Sequence, residues 1–226
     1  MSEKNKEIKV LSEKEHVLLR PTVYLGSVKP TEEKIPIIKD NKIFVEQRSI
    51  SVGMYKLFDE IFSNSLDEAK RMKGKMKSIL IDVNSADNKV SIGDTGNGFY
   101  KGTEINKISE KSNIETAVSQ LRAGSNFEND DVEESLVGTN GMGVSLVNVL
   151  SKYFSIETVN DKFYYFQEWK NYEGKDPKVS KRSSDMKTGT SVTFTPLSET
   201  FGYSKWDKEV LSSILILKYD LIKRDT

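Results

Sequence analysis

The chain has 226 residues, 36% of them hydrophobic and 30% charged, and Lys+Arg balance Asp+Glu at 34 each; this suits one soluble domain, or one plus a fragment of a second, with no global basic field to announce nucleic acid. The lack of cysteine excludes disulfides, thiolate metal sites and a cysteine nucleophile, and the single His16 excludes multi-histidine metal sites. No apolar run approaches the ~20 residues of a membrane span and the charged N-terminus has no secretory hydrophobic segment, so a location inside the cell and away from membranes is expected.

Residues 1–10 are polar and read as a mobile arm. Ser12 and Glu15 form a capping-box pattern that opens a short helix, which Pro21 is expected to end. Tyr24-Leu25-Gly26-Ser27 then reads as a turn. Residues 35–38 and 42–46 flank Asp40-Asn41 and are expected to form a hairpin inside a variable connection over 27–51.

Residues 52–72 carry a helical apolar period. Glu60, Asn64 and Asp67 fall on one side of this helix, with Leu57, Phe58, Ile61, Phe62 and Leu66 as a set suited to burial. A carboxylate and a carboxamide one turn apart on a buried helix are costly without a partner or a task. Water activation and metal coordination are two such tasks; a surface helix with i, i+4 polar pairs gives the same spacing. The basic run from Lys70 to Lys77 complements the helix dipole and Gly74 suits a C-cap. It contains no aromatic residue, which argues against a nucleic-acid patch.

Strands are expected at 78–83 and 89–93. The second runs into Asp94-Thr95-Gly96-Asn97-Gly98. A carboxylate at a strand end followed by Gly96 and Gly98 suits a pocket floor where backbone approaches a flat ligand, although a plain Asp-Gly turn looks the same. Residues 100–137 are long, polar and weakly periodic, with a helix expected at 114–121; such a segment suits a lid hinged at Gly102 and Gly124. Gly138-Thr139-Asn140-Gly141-Met142-Gly143-Val144 opens an apolar helix, where bare N–H groups and the helix dipole make an anion site. It is neither a dinucleotide fingerprint nor a P-loop, and a tight helix start is the alternative reading. Strands follow at 155–159, 162–169 and 190–196, with Asn160-Asp161 as a hairpin turn and 176–187 as a polar connection. A helix is expected at 207–224.

In order, Glu60-x-x-x-Asn64, Asp94-x-Gly96-x-Gly98, Gly138-x-Asn140-Gly141-x-Gly143 and Gly189-Thr190 resemble the motifs of the GHKL ATPases. The segment from Glu15 to Ser27 is similar to the EHxxxRPxxYIGS segment of type II DNA topoisomerases. The segment from Leu121 to Phe127 resembles their lid, and that from Gly189 to Pro196 their GTxVxFxPD strand. The spacing looks most like T-even-type phage and eukaryote-like members.

The resemblance implies an α+β fold: a Bergerat-type α/β sandwich, with a mixed, mainly antiparallel sheet and helices on one face. It implies an ATPase domain over 11–204 with a lid at about 100–137, and a truncated transducer-like segment beginning at 205–226. The implied activity is that of an ATP-hydrolysing, Mg²⁺-dependent gate of a type II topoisomerase. Such a gate homodimerises on ATP binding and acts on DNA through further domains or subunits, in the cytoplasm of a bacterium or phage-infected cell. The implied roles are Glu60 as general base, Asn64 as Mg²⁺ ligand, Asp94 as acceptor from the adenine amino group and Thr190 in the adenine-water network. Asp67 is the acid near the adenine pocket, Gly96 and Gly98 give room for the nucleotide, Ser125 and Asn126 contact it from the lid, and Gly138, Thr139, Asn140, Gly141, Met142, Gly143 and Val144 cradle the phosphates. Asn97 departs from the arginine usual in gyrases, and Thr139 stands where glycine or another residue is common. No γ-phosphate-contacting lysine, toprim region or DNA-cleaving tyrosine is recognisable. The alternative is a stand-alone nucleotide-sensing module or chaperone-like ATPase with little turnover.

Overall fold

Two sheets of unequal size organise the chain, whose structure, a computed structural model, describes residues 10–121 and 142–224. The larger has strand order β3-β4-β9-β5-β6-β7, with β8 also paired to β6. These strands are β3 (Ile79–Asn84), β4 (Lys89–Asp94), β5 (Ser151–Val159), β6 (Phe163–Lys170), β7 (Glu173–Gly174), β8 (Lys178–Lys181) and β9 (Gly189–Pro196). All its pairings among the described residues are antiparallel, so the expected mixed sheet is wholly antiparallel there.

Alternation decides which face is buried. Val90 and Ile92 of β4, Val192 and Phe194 of β9, Phe154 and Ile156 of β5, and Tyr165 and Trp169 of β6 are all buried. Their register places Ile92 beside Val192, Val192 beside Ile156, and Phe154 beside Trp169. On this face pack α3 (Val52–Arg71) and α5 (Gly143–Val149), with α4 (Asn113–Ser119) against α5. Ser51 caps α3, accepting from the Met54 N–H at 3.3 Å, and Lys70 and Arg71 occupy its last turn. Met54, Leu57, Phe58, Ile61 and Phe62 bury its inner side.

The smaller sheet is a hairpin of β1 (Thr31–Lys39) and β2 (Lys42–Ile50), longer than the sequence suggests. Asp40 and Asn41 turn it with φ of 50° and 57°, the backbone such a two-residue loop needs. The C-terminal helix α6 (Lys208–Arg224) packs on β1. Arg48 of β2 bonds Asp207 at 3.1 Å and also Glu209, and the Ile38 N–H donates to Ser213 Oγ at 2.9 Å.

Three local expectations change. Pro21 does not lead into a turn: α1 (Glu13–Leu19) stops before it, and Pro21 then begins a second helix, α2 (Pro21–Leu25), because proline suits a first helical position. β5 starts four residues early, at Ser151, since it borders β9 over its length. The polar connection contains β8, an exposed edge strand whose lysines face solvent. No helix among the described residues is long and apolar enough to cross a membrane.

Candidate functional site

Asp94 ends β4 on the face that carries Val90 and Ile92. Its Oδ1 accepts the Gly96 N–H at 2.9 Å and the Thr190 N–H at 3.3 Å, and its Oδ2 accepts Ser65 Oγ of α3 at 3.2 Å. Burial pushes the Asp94 carboxyl above its ordinary value; these three hydrogen bonds pull it back, and nearby Glu68 adds to the rise. Thr190 is tied in turn to Thr158, whose hydroxyl lies 3.0 Å from the Thr190 hydroxyl. Thr158 also accepts the Phe99 N–H at 3.0 Å and donates to the Gly189 carbonyl at 3.1 Å. One buried hydroxyl thus joins β5, β9 and the turn after β4.

The other wall is α3. Glu60 is half-buried, and its carboxylate rests on the start of α5: a β-carbon at Gly143 would stand 2.2 Å from Glu60 Oε2. Burial pushes the Glu60 carboxyl up, Lys56 and Lys218 pull it down, and Asp59 adds to the rise. Asn64, one turn on, is exposed. Asp67, a further turn on, is only 2% exposed and engaged by protein neighbours. Ser65, which bonds Asp94, lies five residues from Glu60 on the same helix, a rise of about 7.5 Å. One rigid element therefore carries a carboxylate facing α5 and a hydroxyl facing Asp94, with Asn64 between them.

The glycines of the β4 turn are demanded by protein neighbours. Gly98 has φ of 72°, and a β-carbon there would meet the Val159 carbonyl oxygen at 2.2 Å. At Gly96 it would meet Glu68 Cγ at 2.5 Å; Glu68 in turn accepts the Asn97 N–H at 3.0 Å. Met142 precedes α5 and its carbonyl accepts the Leu146 N–H at 2.9 Å, and Val144 is half-buried in the first turn. Ser125, Asn126, Gly138, Thr139, Asn140 and Gly141, and the hinge at Gly124, lie outside the described residues. Within the expected lid, α4 forms close to the expected position, with Ser112 as its cap. Gly102 packs tightly beneath it, 2.5 Å separating a β-carbon there from Ile114 Cδ1. A cleft of about 560 Å³ lined by Asn97, Tyr100, Lys101, Asn160 and Lys162 opens beyond Gly98, and none of Glu60, Asn64, Asp94 or Thr190 lines it.

Among the described residues no group of three or more acidic or histidine side chains could hold a metal ion. One exposed carboxamide oxygen at Asn64 still fits Mg²⁺, which takes most of its ligands from water and phosphates rather than from a protein cage. Sequence reasoning missed Ser65 and Thr158. Ser65 reads as one more small polar residue between Asn64 and Leu66 until α3 meets β4. Thr158 reads as an ordinary β-branched strand residue until pairing sets it opposite Thr190.

No family model matches the chain. DNA topoisomerase 2 of Drosophila melanogaster is 32% identical over 215 residues, 93% of this chain and 14% of that protein. The chain is a homologue of the type II DNA topoisomerases. This topoisomerase homologue superposes on the ATPase region of Saccharomyces cerevisiae topoisomerase II with a TM-score of 0.81 at 28% identity, over 90% of this chain and 54% of that one. On the ATPase and transducer domains of topoisomerase II from Balamuthia mandrillaris the TM-score is 0.82 at 27% identity, over 91% and 54%. Its fold is therefore that of a topoisomerase II ATPase region, the GHKL sandwich, and it spans about one seventh of its Drosophila relative.

Proposed function

We propose that the chain is the ATP-binding and ATP-hydrolysing gate of a type II DNA topoisomerase. The observation that supports this best is the joint placement on α3 of Glu60, against the start of α5, and of Ser65, against Asp94.

Asp94 selects the base. Its Oδ1 is occupied by two backbone N–H groups, while Oδ2 is held by a single hydroxyl and can accept from an exocyclic amino group of adenine. Thr190 and Thr158 fix that end of the pocket, Asp67 backs it from inside α3, and Gly96 and Gly98 hold the turn close to the sheet, beside the base. Glu60 acts at the other end. Phosphoryl transfer needs positioning and charge stabilisation more than covalent chemistry, and a desolvated carboxylate is suited to orient the attacking water and accept its proton. The backbone around Gly138, Thr139, Asn140, Gly141, Met142, Gly143 and Val144 holds the phosphates, with Ser125 and Asn126 closing from the lid. Asn64 would hold Mg²⁺, which when bound neutralises charge across the phosphates.

In this reading ATP joins two copies into a dimer, and the dimer gates DNA passage together with the remaining topoisomerase domains, in the cytoplasm. The phage-type origin rests on sequence resemblance alone. The test is Mg²⁺-dependent ATP turnover with sedimentation in the presence and absence of nucleotide. Hydrolysis and an ATP-dependent dimer are expected. Tight ATP binding with neither would replace the gate with a nucleotide-sensing module.

A further inference from the structure

Lys218 of α6 reaches α3, where it is ion-paired with Asp59 and donates to Ser63 Oγ at 3.1 Å. The Lys218 and Asp59 side chains are 27% and 39% exposed, and Ser63 is buried. Asp59 and Ser63 lie one turn apart and form a ridge beside Glu60 and Asn64, each immediately preceding one of them. α6 is anchored on its other side by Arg48, which bonds Asp207 and Glu209, and by the Ile38 N–H bonded to Ser213. It also meets α3 near its own start, where the Asp207 N–H donates to the Tyr55 hydroxyl at 2.8 Å. Two points therefore fix α3 against α6, and one of them sits at the turn that carries the site.

We propose that Lys218 is a positioning residue: by clasping Asp59 and Ser63 it holds the Glu60–Asn64 turn of α3 in its productive setting. The inference rests on the function proposed above. Charge supports it. The ionised groups acting on Glu60 are Lys56 and Asp59 from its own helix and Lys218 from α6. The facing helix α5 carries no ionisable side chain. Lys56 is exposed and bonds the Tyr24 carbonyl at 3.1 Å, so Lys218 is the cation that neutralises Asp59. Without it, the buried Oδ1 of Asp59 becomes an uncompensated negative charge next to the Glu60 carboxylate. The clasp also connects the site to α6 and, through α6, to the β1–β2 hairpin.

The test compares ATP turnover and ATP affinity for the wild type, Lys218→Met, Lys218→Arg and Glu60→Gln. Lys218→Met should bind ATP within about twofold of wild type and turn it over roughly tenfold more slowly, the scale expected of a small misplacement of a reacting group. Lys218→Arg, which keeps the charge and can still reach both partners, should restore most of the rate. Wild-type turnover in Lys218→Met overturns the inference. So does a parallel loss of affinity, or a failure of Lys218→Arg to recover the rate. A Glu60→Gln protein that hydrolyses normally overturns the underlying base assignment instead, a result the lysine variants cannot imitate.

Discussion

The carboxylate of Glu60 occupies the space that a side chain at residue 143 would need: a β-carbon on Gly143 would come within 2.2 Å of Glu60 Oε2 and 3.0 Å of its Cδ. The clash is with the end of a flexible side chain, so the fold can absorb it by a rotamer change. Gly143→Ala should therefore cost little stability, about 1 kcal/mol or less. It should displace the carboxylate and lower ATP turnover by roughly 10²-fold. Thermal unfolding and steady-state kinetics check the two halves separately; unchanged turnover would detach Glu60 from the reaction.

Asp94→Asn should separate stability from binding. The carboxamide oxygen of this variant can still accept the two N–H groups, and its amide can donate to a reoriented Ser65. The folded-state carboxyl of Asp94 is raised, so the folded protein holds the proton more tightly than the unfolded chain. The stability this contributes is full below the ordinary Asp value and is lost as pH rises through the folded one. At neutral pH Asp94→Asn should melt higher than wild type, and the gap should close on acidification. The same change replaces an acceptor with a donor toward adenine and should weaken ATP binding roughly 10–100-fold, the loss of a charge-assisted hydrogen bond. Melting followed from acid to neutral pH, with ATP titrations at neutral pH, reads both.

Gly98→Ala meets backbone, not side chain. With φ of 72° and the Val159 carbonyl 2.2 Å from the new carbon, neither partner can yield cheaply. A loss of about 2–4 kcal/mol is expected in urea unfolding. A near-neutral result would mean that the turn packs differently against β5.

Thr158→Val keeps shape and removes the hydroxyl that serves the Phe99 N–H, the Gly189 carbonyl and Thr190. Stranding those groups should cost about 1–3 kcal/mol. Thr158→Ser should recover most of it, and equal losses in the two variants would point to packing instead of hydrogen bonding.

Legibility in the sequence depends on range along the chain. The α3 period, the capping box at Ser12 and Glu15, the Asp40-Asn41 turn and the strand that ends in Asp94 are local patterns, and all are visible in the sequence. The division of labour along α3 is not. Glu60, Asn64 and Asp67 share a spacing, yet one faces α5, one is exposed and one is buried, because their surroundings are set by elements outside α3, among them α5 from far along the chain. Thr158 and Ser65 gain meaning only when β5 meets β9 and α3 meets β4. Pro21 ends α1 as expected, but the short helix over 21–25 is missed, because the same residue that ends one helix can open the next. Lys218 carries no signal at all: its partner Asp59 is 159 positions away.

In the proposed function Glu60 acts on water and takes no part in choosing or holding the base. The most direct measurement is hydrolysis of bound ATP in Glu60→Gln beside its ATP affinity. Affinity within about threefold of wild type is expected, with hydrolysis reduced by at least roughly 10²-fold, the scale of general base catalysis. Hydrolysis at the wild-type rate, or a loss of binding as large as the loss of turnover, would contradict it.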